Sequence, residues 1–320
     1  MLTAKPLVDL ARRASRSIFK TAFYSPHWRI GWRFVDESDD VWSRGDLGGH
    51  PWQVLRNKPF RFFADPFPVA WNGKTWLFFE DFDHRIGKGR ISAVAFGPRG
   101  PEGDVFPVLE QPWHLSFPYV FEHEGELWML PESSNNRTVS LYRAENFPTR
   151  WVKEIDLLVG VEASDSTIVS FEGRLWMFTT VQHDDPSRSN KLLLYHAQSL
   201  PGPWSPHSAN PVLIDSRSAR SAGGIVIRNG VLWRAVQDCE RRYGASVGLA
   251  EVTRLDENHF EQRVRAIIRP DWHWPGWRLH TLSRAGSLEC IDGSAIALRK
   301  IGLAGHADAG VLAFRSDQGP

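Results

Sequence analysis

Carboxylates, histidines and arginines recur in this chain at the borders of short apolar runs, where a strand would enter or leave a turn. Asp65 stands in ADPFPV, Glu80 and Asp81 end LFFED, Glu132 falls in LWMLPESS, and Asp165 lies in SDSTIV. Trp113, His114 and Tyr119 fall in PWHLSFPYV, Arg217 and Arg220 in SRSARSAGG, Gln237 and Asp238 in AVQD, and His280 in RLHTLS. Two carboxylates on opposite sides of a sugar act as acid and as base or nucleophile around an oxocarbenium-like transition state. The acid needs a raised pKa, which partial burial beside aromatic residues supplies. Asp65, Glu80, Glu132 and Asp165 are therefore the candidate catalytic groups. Trp113, His114 and Tyr119 would stack on or hydrogen-bond a sugar, and Arg217, Arg220 and His280 would hold a phosphate or acidic substituent. Asp81, Gln237 and Asp238 complete the substrate-binding set. The competing account of any single carboxylate is ordinary turn chemistry, since Asp at a strand start accepts hydrogen bonds from its own turn.

Such residues act together only if something gathers them. Four segments share a frame: FPVAWNGKTWLFFE, YVFEHEGELWMLPE, TIVSFEGRLWMFTT and GIVIRNGVLWRAVQ, with a weaker fifth in LHTLSRAGSLECIDG. Apolar runs on both sides of a tight Xaa-Gly turn read as β-hairpins. The turn glycines fall at 73, 125, 173, 230 and 286, spaced by 52, 48, 57 and 56 residues, a period that belongs to propeller blades. Each hairpin is followed by two further strand-like runs, such as ISAVAF and VFPVLE after the first, which makes four strands per blade. The expected fold is all-β, a five-bladed β-propeller of four-stranded blades. WRIGWRFV and WQVLR near the N-terminus would supply the outer pair of the fifth blade and close the ring. Trp76, Trp128, Trp176 and Trp233, each three residues after a turn glycine, read as packing between blades, and Glu289 takes that position in the fifth. In such a ring the starts of first strands and the ends of second strands meet at one rim around a central channel. That is where the polar set falls.

The balance of 38 Lys and Arg against 37 Asp and Glu gives no whole-chain field to draw in nucleic acid. Cys239 and Cys290 are too few and too far apart for a disulfide framework, and no run of about 18 apolar residues forms a membrane span. A cytoplasmic location is expected. Residues 1–27 read as a separate basic segment with a short helix, and residues 28–320 as the propeller. Leu7, Leu10, Ala11, Ile18 and Phe19 alternate with Arg12, Arg13, Arg16 and Lys20, so residues 1–20 would pack on the domain or contact the inner membrane surface peripherally. No cofactor and no metal are expected. His114, His280 and nearby carboxylates suit divalent ions but lack a compact His-Glu-His spacing. His183, Asp184 and Asp185 read as a solvated loop.

ADPF and SDSTIV, at the starts of the first and third blades, resemble the propellers of family-43 and family-32 glycoside hydrolases. That resemblance implies Asp65 as base or nucleophile and Asp165 as the carboxylate that tunes and orients the acid. The family-43 acid is a Glu at the start of the fourth blade, where this chain reads SARSAGGIV, so Glu132 or Glu80 would take its place. ADPFPV, LFFED, EQPWHLSFPYVF, LWMLPESS, VSLYRAENFPTRW, LPGPWSPHSANPV, ARSAGG and QDCERRYG together resemble the propeller at the N-terminal part of plant glucosamine inositolphosphorylceramide transferases and its bacterial relatives. In the plant proteins the transferase activity is attributed to a separate C-terminal glycosyltransferase domain, so the resemblance implies the propeller and not that enzyme's name. The functional expectation is a carbohydrate-active enzyme at a glycosidic bond, by transfer or hydrolysis, on a sugar or glycoconjugate that is nucleotide- or lipid-linked. The alternative is a non-catalytic glycan-binding or scaffold propeller.

Overall fold

The computed structural model describes residues 22–182 and 190–299. The expected membrane contact at residues 1–20 and the loop of His183, Asp184 and Asp185 lie outside them. The chain enters through β1 (Phe23–Phe34), a four-residue helix α1 (Val41–Arg44) and β2 (Gln53–Val54). Blade one follows as β3 (Arg61–Trp71), β4 (Lys74–Asp83), β5 (Lys88–Gly97) and β6 (Gly100–Leu109). Blade two is β7 (Ser116–His123), β8 (Glu126–Glu132), β9 (Thr138–Asn146) and β10 (Arg150–Val159). Blade three is β11 (Ala163–Phe171), β12 (Arg174–Gln182) and β13 (Asn190–Ala197), with its outer edge split into β14 (Ser205–Pro206) and β15 (Leu213–Ile214). Blade four is β16 (Ser221–Arg228), β17 (Val231–Asp238), β18 (Ser246–Leu255) and β19 (Phe260–Ile268). The last described strands are β20 (Leu282–Ala285) and β21 (Leu288–Leu298).

The fifth sheet runs β2-β1-β21-β20, so strands from the two ends of the described residues share one blade. The pairing of β1 with β21 extends from Phe23 opposite Leu298 to Phe34 opposite Leu288. β1 thus includes residues 23–27, ahead of the expected boundary at residue 28.

Asn72, Glu124, Glu172 and Asn229 have φ between 48° and 53°, and the glycines after them have φ between 75° and 80°. Two successive left-handed residues make the tight turn whose twist matches the flanking strands, and glycine takes its second position without strain. These turns define one rim, the turn rim. First strands begin and second strands end at the other, the pocket rim.

Apolar clusters fill the seams between blades. Trp76 packs edge-on against Phe106 and against Phe147 of blade two, Trp128 joins the core shared by blades two and three, and Trp176 that of blades three and four. The fifth blade departs from this pattern. Glu289 is fully buried, receives Arg33 Nε at 2.8 Å, and accepts the backbone N–H of Val41 at 2.8 Å. Arg33 lies over the Trp52 ring at 4.1 Å. An ion pair that also caps α1 replaces the indole where the ring closes.

Candidate functional site

The same irregularity occurs in four innermost strands. Register slips between Ala64 and Phe67, Ser116 and Tyr119, Ser164 and Thr167, and Ser221 and Ile225. A bulge re-aims the side chain it carries. Asp65, Phe117 and Asp165 sit there in left-handed conformation at φ 51°, 43° and 51°, and Gly223 at φ 141°. A left-handed non-glycine residue costs on the order of 1–3 kcal/mol and persists only where its surroundings over-determine it. Carboxylates of the preceding blade do so. Asp65 N donates to Asp292 Oδ2 (3.0 Å), Phe117 N to Asp65 Oδ2 (3.1 Å), and Asp165 N to Glu132 Oε2 (3.3 Å).

The bulges turn these groups into a central cavity of about 350 Å³. Asp65, Glu80, Glu132 and Asp165 line it with Ser116, His114, Arg220 and His280, beneath an aromatic wall that includes Tyr24, Trp28, Phe62, Phe82 and Tyr243. Asp65 Oδ1 accepts the Thr281 hydroxyl at 3.0 Å and lies 3.8 Å from His280 Nε2. Burial raises the Asp65 carboxyl, while His280 pulls it back toward its ordinary range. Burial opposes the charge on His280, but its contact with Asp292, 2.6 Å away, outweighs that and holds the ring above its usual pKa. The ring stacks on Trp28 at 3.8 Å between centroids.

Glu80 is the group most clearly tuned toward an acid. Burial drives its pKa well above the ordinary value, and the nearby Asp65 and Glu132 charges push the same way. His114 Nε2 lies 3.5 Å from Glu80 Oε1. Gly89 N donates to His114 Nδ1 at 2.9 Å, so Nε2 carries the proton of the neutral ring. Burial keeps that ring's pKa low, against a smaller opposing effect of Glu132. Burial also pushes Asp165 up, and Arg220, whose Nε donates to Oδ2, pulls the other way.

Asp65, His280 and Asp292 offer donor atoms within 4.8 Å of one another. The 2.6 Å between Asp292 and His280 is the spacing of a hydrogen bond. Ligands at roughly 2.0–2.2 Å from a tetrahedral ion stand about 3.3 Å apart. Both Asp292 oxygens already serve the backbone N–H groups of Asp65, His280 and Thr281.

Of the residues singled out in the sequence, seven line this cavity: Asp65, Glu80, His114, Glu132, Asp165, Arg220 and His280. Gln237 supports it from below, donating to Asp165 Oδ2 at 3.2 Å and Ser221 O at 2.7 Å. The others are engaged elsewhere. Asp81 faces away in an ion-pair network with Arg61 and Arg90, as alternation along β4 requires once Glu80 points inward. Trp113 packs into the core between blades one and two. Tyr119 is buried between blades, and its hydroxyl donates to Ile168 O. Arg217 is exposed and pairs with Glu240, and Asp238 caps Glu240 N at 3.0 Å. Arg220, paired with Asp165, is not available for a substrate phosphate without breaking that pair. Sequence reasoning missed Asp292, Thr281, Trp28 and Tyr243. Asp292 had a signal: it follows the fifth turn glycine by six residues, near the seventh-residue position that Glu80 and Glu132 occupy after theirs.

Fold and site together define a five-bladed propeller with an acidic, aromatic-walled pocket at one rim. The chain belongs to the family described as glucosamine inositolphosphorylceramide transferase 1, N-terminal, whose model matches residues 53–291. Glucosamine inositolphosphorylceramide transferase 1 of Arabidopsis thaliana is 31% identical over 252 residues, covering 74% of this chain and 33% of that protein. The protein of the same name from Oryza sativa subsp. japonica is 29% identical over 252 residues, covering 74% and 34%. The chain therefore spans about a third of the length of these curated relatives. Among solved structures, Zg3597, a family 117 glycoside hydrolase from Zobellia galactanivorans, aligns with a TM-score of 0.53 at 11% identity, over 82% of this chain and 80% of that one. That likeness is one of fold.

Proposed function

We propose that the protein is a carbohydrate-active enzyme that works at a glycosidic bond, with Glu80 as general acid and Asp65 as base or nucleophile. The observation that carries this reading is that carboxylates from three blades, Asp65, Glu80, Glu132 and Asp165, line one cavity of about 350 Å³. Glu80, held protonated, would give its proton to the departing oxygen. Asp65, beside the His280 ring, would meet the sugar or an attacking hydroxyl, and the aromatic wall would take the apolar face of the ring. Asp165 and Arg220 would fix Glu132 and the floor. The names of the relatives support a sugar or glycoconjugate as substrate, and we take it to be nucleotide- or lipid-linked, in synthesis or remodelling.

A second reading is favoured by one observation: Asp65, Glu132 and Asp292 each accept a backbone N–H across a seam, so part of the acidic ring is needed to hold the bulges. That suits a binding propeller with no turnover. Incubation with nucleotide sugars, lipid-linked sugars and aryl glycosides, read by mass spectrometry, separates the two. The enzyme reading expects a new glycoside or free sugar from one class. Ligand retention with no product from any class would leave the binding reading standing.

A further inference from the structure

The loop from Arg269 to Thr281 leaves the outer strand of blade four and enters blade five, both at the pocket rim. Trp274 anchors it, buried under the Arg29 guanidinium at 3.9 Å. Asp271 Oδ1 accepts His273 N (2.8 Å) and Trp274 N (3.3 Å), and Leu279 N reaches Gly244 O (2.9 Å). From this pinned loop Trp272 and Trp277 project outward, 80% and 51% exposed. On the same rim the turn after β4 presents Ile86, 66% exposed, and β21 ends in exposed Leu298. Contacts link these parts: His84 stacks on Tyr24 at 4.2 Å, Arg299 lies over Tyr24 at 4.6 Å, and Arg278 of the loop lies over Trp28 at 5.9 Å. Large apolar side chains left in water on one face mark an interaction surface.

Charge indicates what covers it. Outside the pocket, acids on the described loops of this rim are paired: Glu110 with Lys88, Glu162 with Arg137, Glu240 with Arg217, and Asp271 with His273. Arg56, Lys58, Arg241, Arg242 and Arg269 are exposed and have no carboxylate partner among the described residues. Indoles on a rigid loop, aliphatic tips and uncompensated guanidiniums at one end of a ring match the interface of an anionic bilayer, where tryptophan sits at headgroup depth and basic side chains meet lipid charge. A soluble glycan would use the indole faces but not Ile86 or Leu298.

We infer that the pocket rim of blades four, five and one docks on an anionic lipid surface, with Trp272 and Trp277 as interfacial anchors. The inference does not depend on the chemistry in the pocket.

The test is flotation of the full chain with phosphatidylcholine vesicles, with and without phosphatidylglycerol. The wild type should float with the anionic vesicles alone, and less so as salt rises. A Trp272→Ser, Trp277→Ser double variant should lose at least about tenfold in partitioning. An Arg241→Ser, Arg242→Ser, Arg269→Ser triple variant should lose roughly 100-fold. All these side chains are exposed, and unchanged thermal midpoints would show that both variants fold. A third variant, Arg12→Ser, Arg13→Ser, Arg16→Ser, Lys20→Ser, should keep most of the binding. The proposal is overturned if the chain ignores anionic vesicles, or if only the third variant loses binding. It is also overturned if the indole variant loses affinity for soluble oligosaccharides while no form floats.

Discussion

At the turn rim, Asn72-Gly73, Glu124-Gly125, Glu172-Gly173 and Asn229-Gly230 repeat one conformation, and a Cβ added at any of these four glycines would meet nothing within 4 Å. Seven residues after each glycine, toward the pocket rim, the same strands carry Glu80, Glu132, Thr180 and Gln237. One end of the ring repeats because a tight reversal has few solutions. The other varies although the bulges beneath it repeat, so the backbone there is a socket that accepts different side chains. Changes at the turn rim should alter stability alone, while changes in the pocket should show in turnover or in pH dependence.

The largest effect is expected from Asp65→Asn. With a substrate in hand, turnover should fall by at least about 1000-fold, roughly 4 kcal/mol of barrier, with ligand binding kept. A variant within tenfold of wild type would remove Asp65 from the chemistry. Glu289→Ala comes next, because it strands Arg33 and uncaps α1. Losing one partner of a buried pair costs about 3–5 kcal/mol, measurable by denaturant titration, without effect on binding in the pocket.

Glu80→Gln should act through pH. The folded protein binds a proton on Glu80 that the unfolded chain releases near pH 4, so stability from this group is complete below that value and is lost as pH rises through the raised folded pKa. The Gln variant should lack this high-pH decline in thermal midpoint. His27 and His84 have the opposite sign. Burial lowers them to about 3 and about 4, so their contribution is present above pH ~6.5 and lost as pH falls through those values. The smallest effect belongs to the turn rim. Gly230→Ala meets no steric obstacle and should cost only the left-handed strain, about 1 kcal/mol.

The ring was legible because its signals are local: an Xaa-Gly turn, a tryptophan three residues on, and a period near 50. The inward set at strand ends was legible for the same reason, which is how Asp65, Glu80, Glu132 and Asp165 were found. What failed was side-chain direction within one short segment. Tyr119 and Trp113 lie within a few residues of Ser116 and His114 in sequence, yet alternation and the bulge send them into seams. Trp28 and Tyr243 reach the pocket from a strand and a loop outside the repeated hairpins, and Asp292, which braces it from the fifth hairpin, sits one residue short of the repeat position. Tyr243 in particular arrives on the connection after β17, whose path nothing in QDCERRYG encodes.

The pairing of β1 with β21 places Trp28 opposite Ser294. During synthesis on a ribosome, β1 must therefore wait for more than 250 further residues before its partner exists. Blades one to four can each assemble from neighbouring hairpins, whereas the wall formed by Trp28 and His280 arises only at the final closure. Ligand capacity should consequently appear in a single late event rather than grow with chain length.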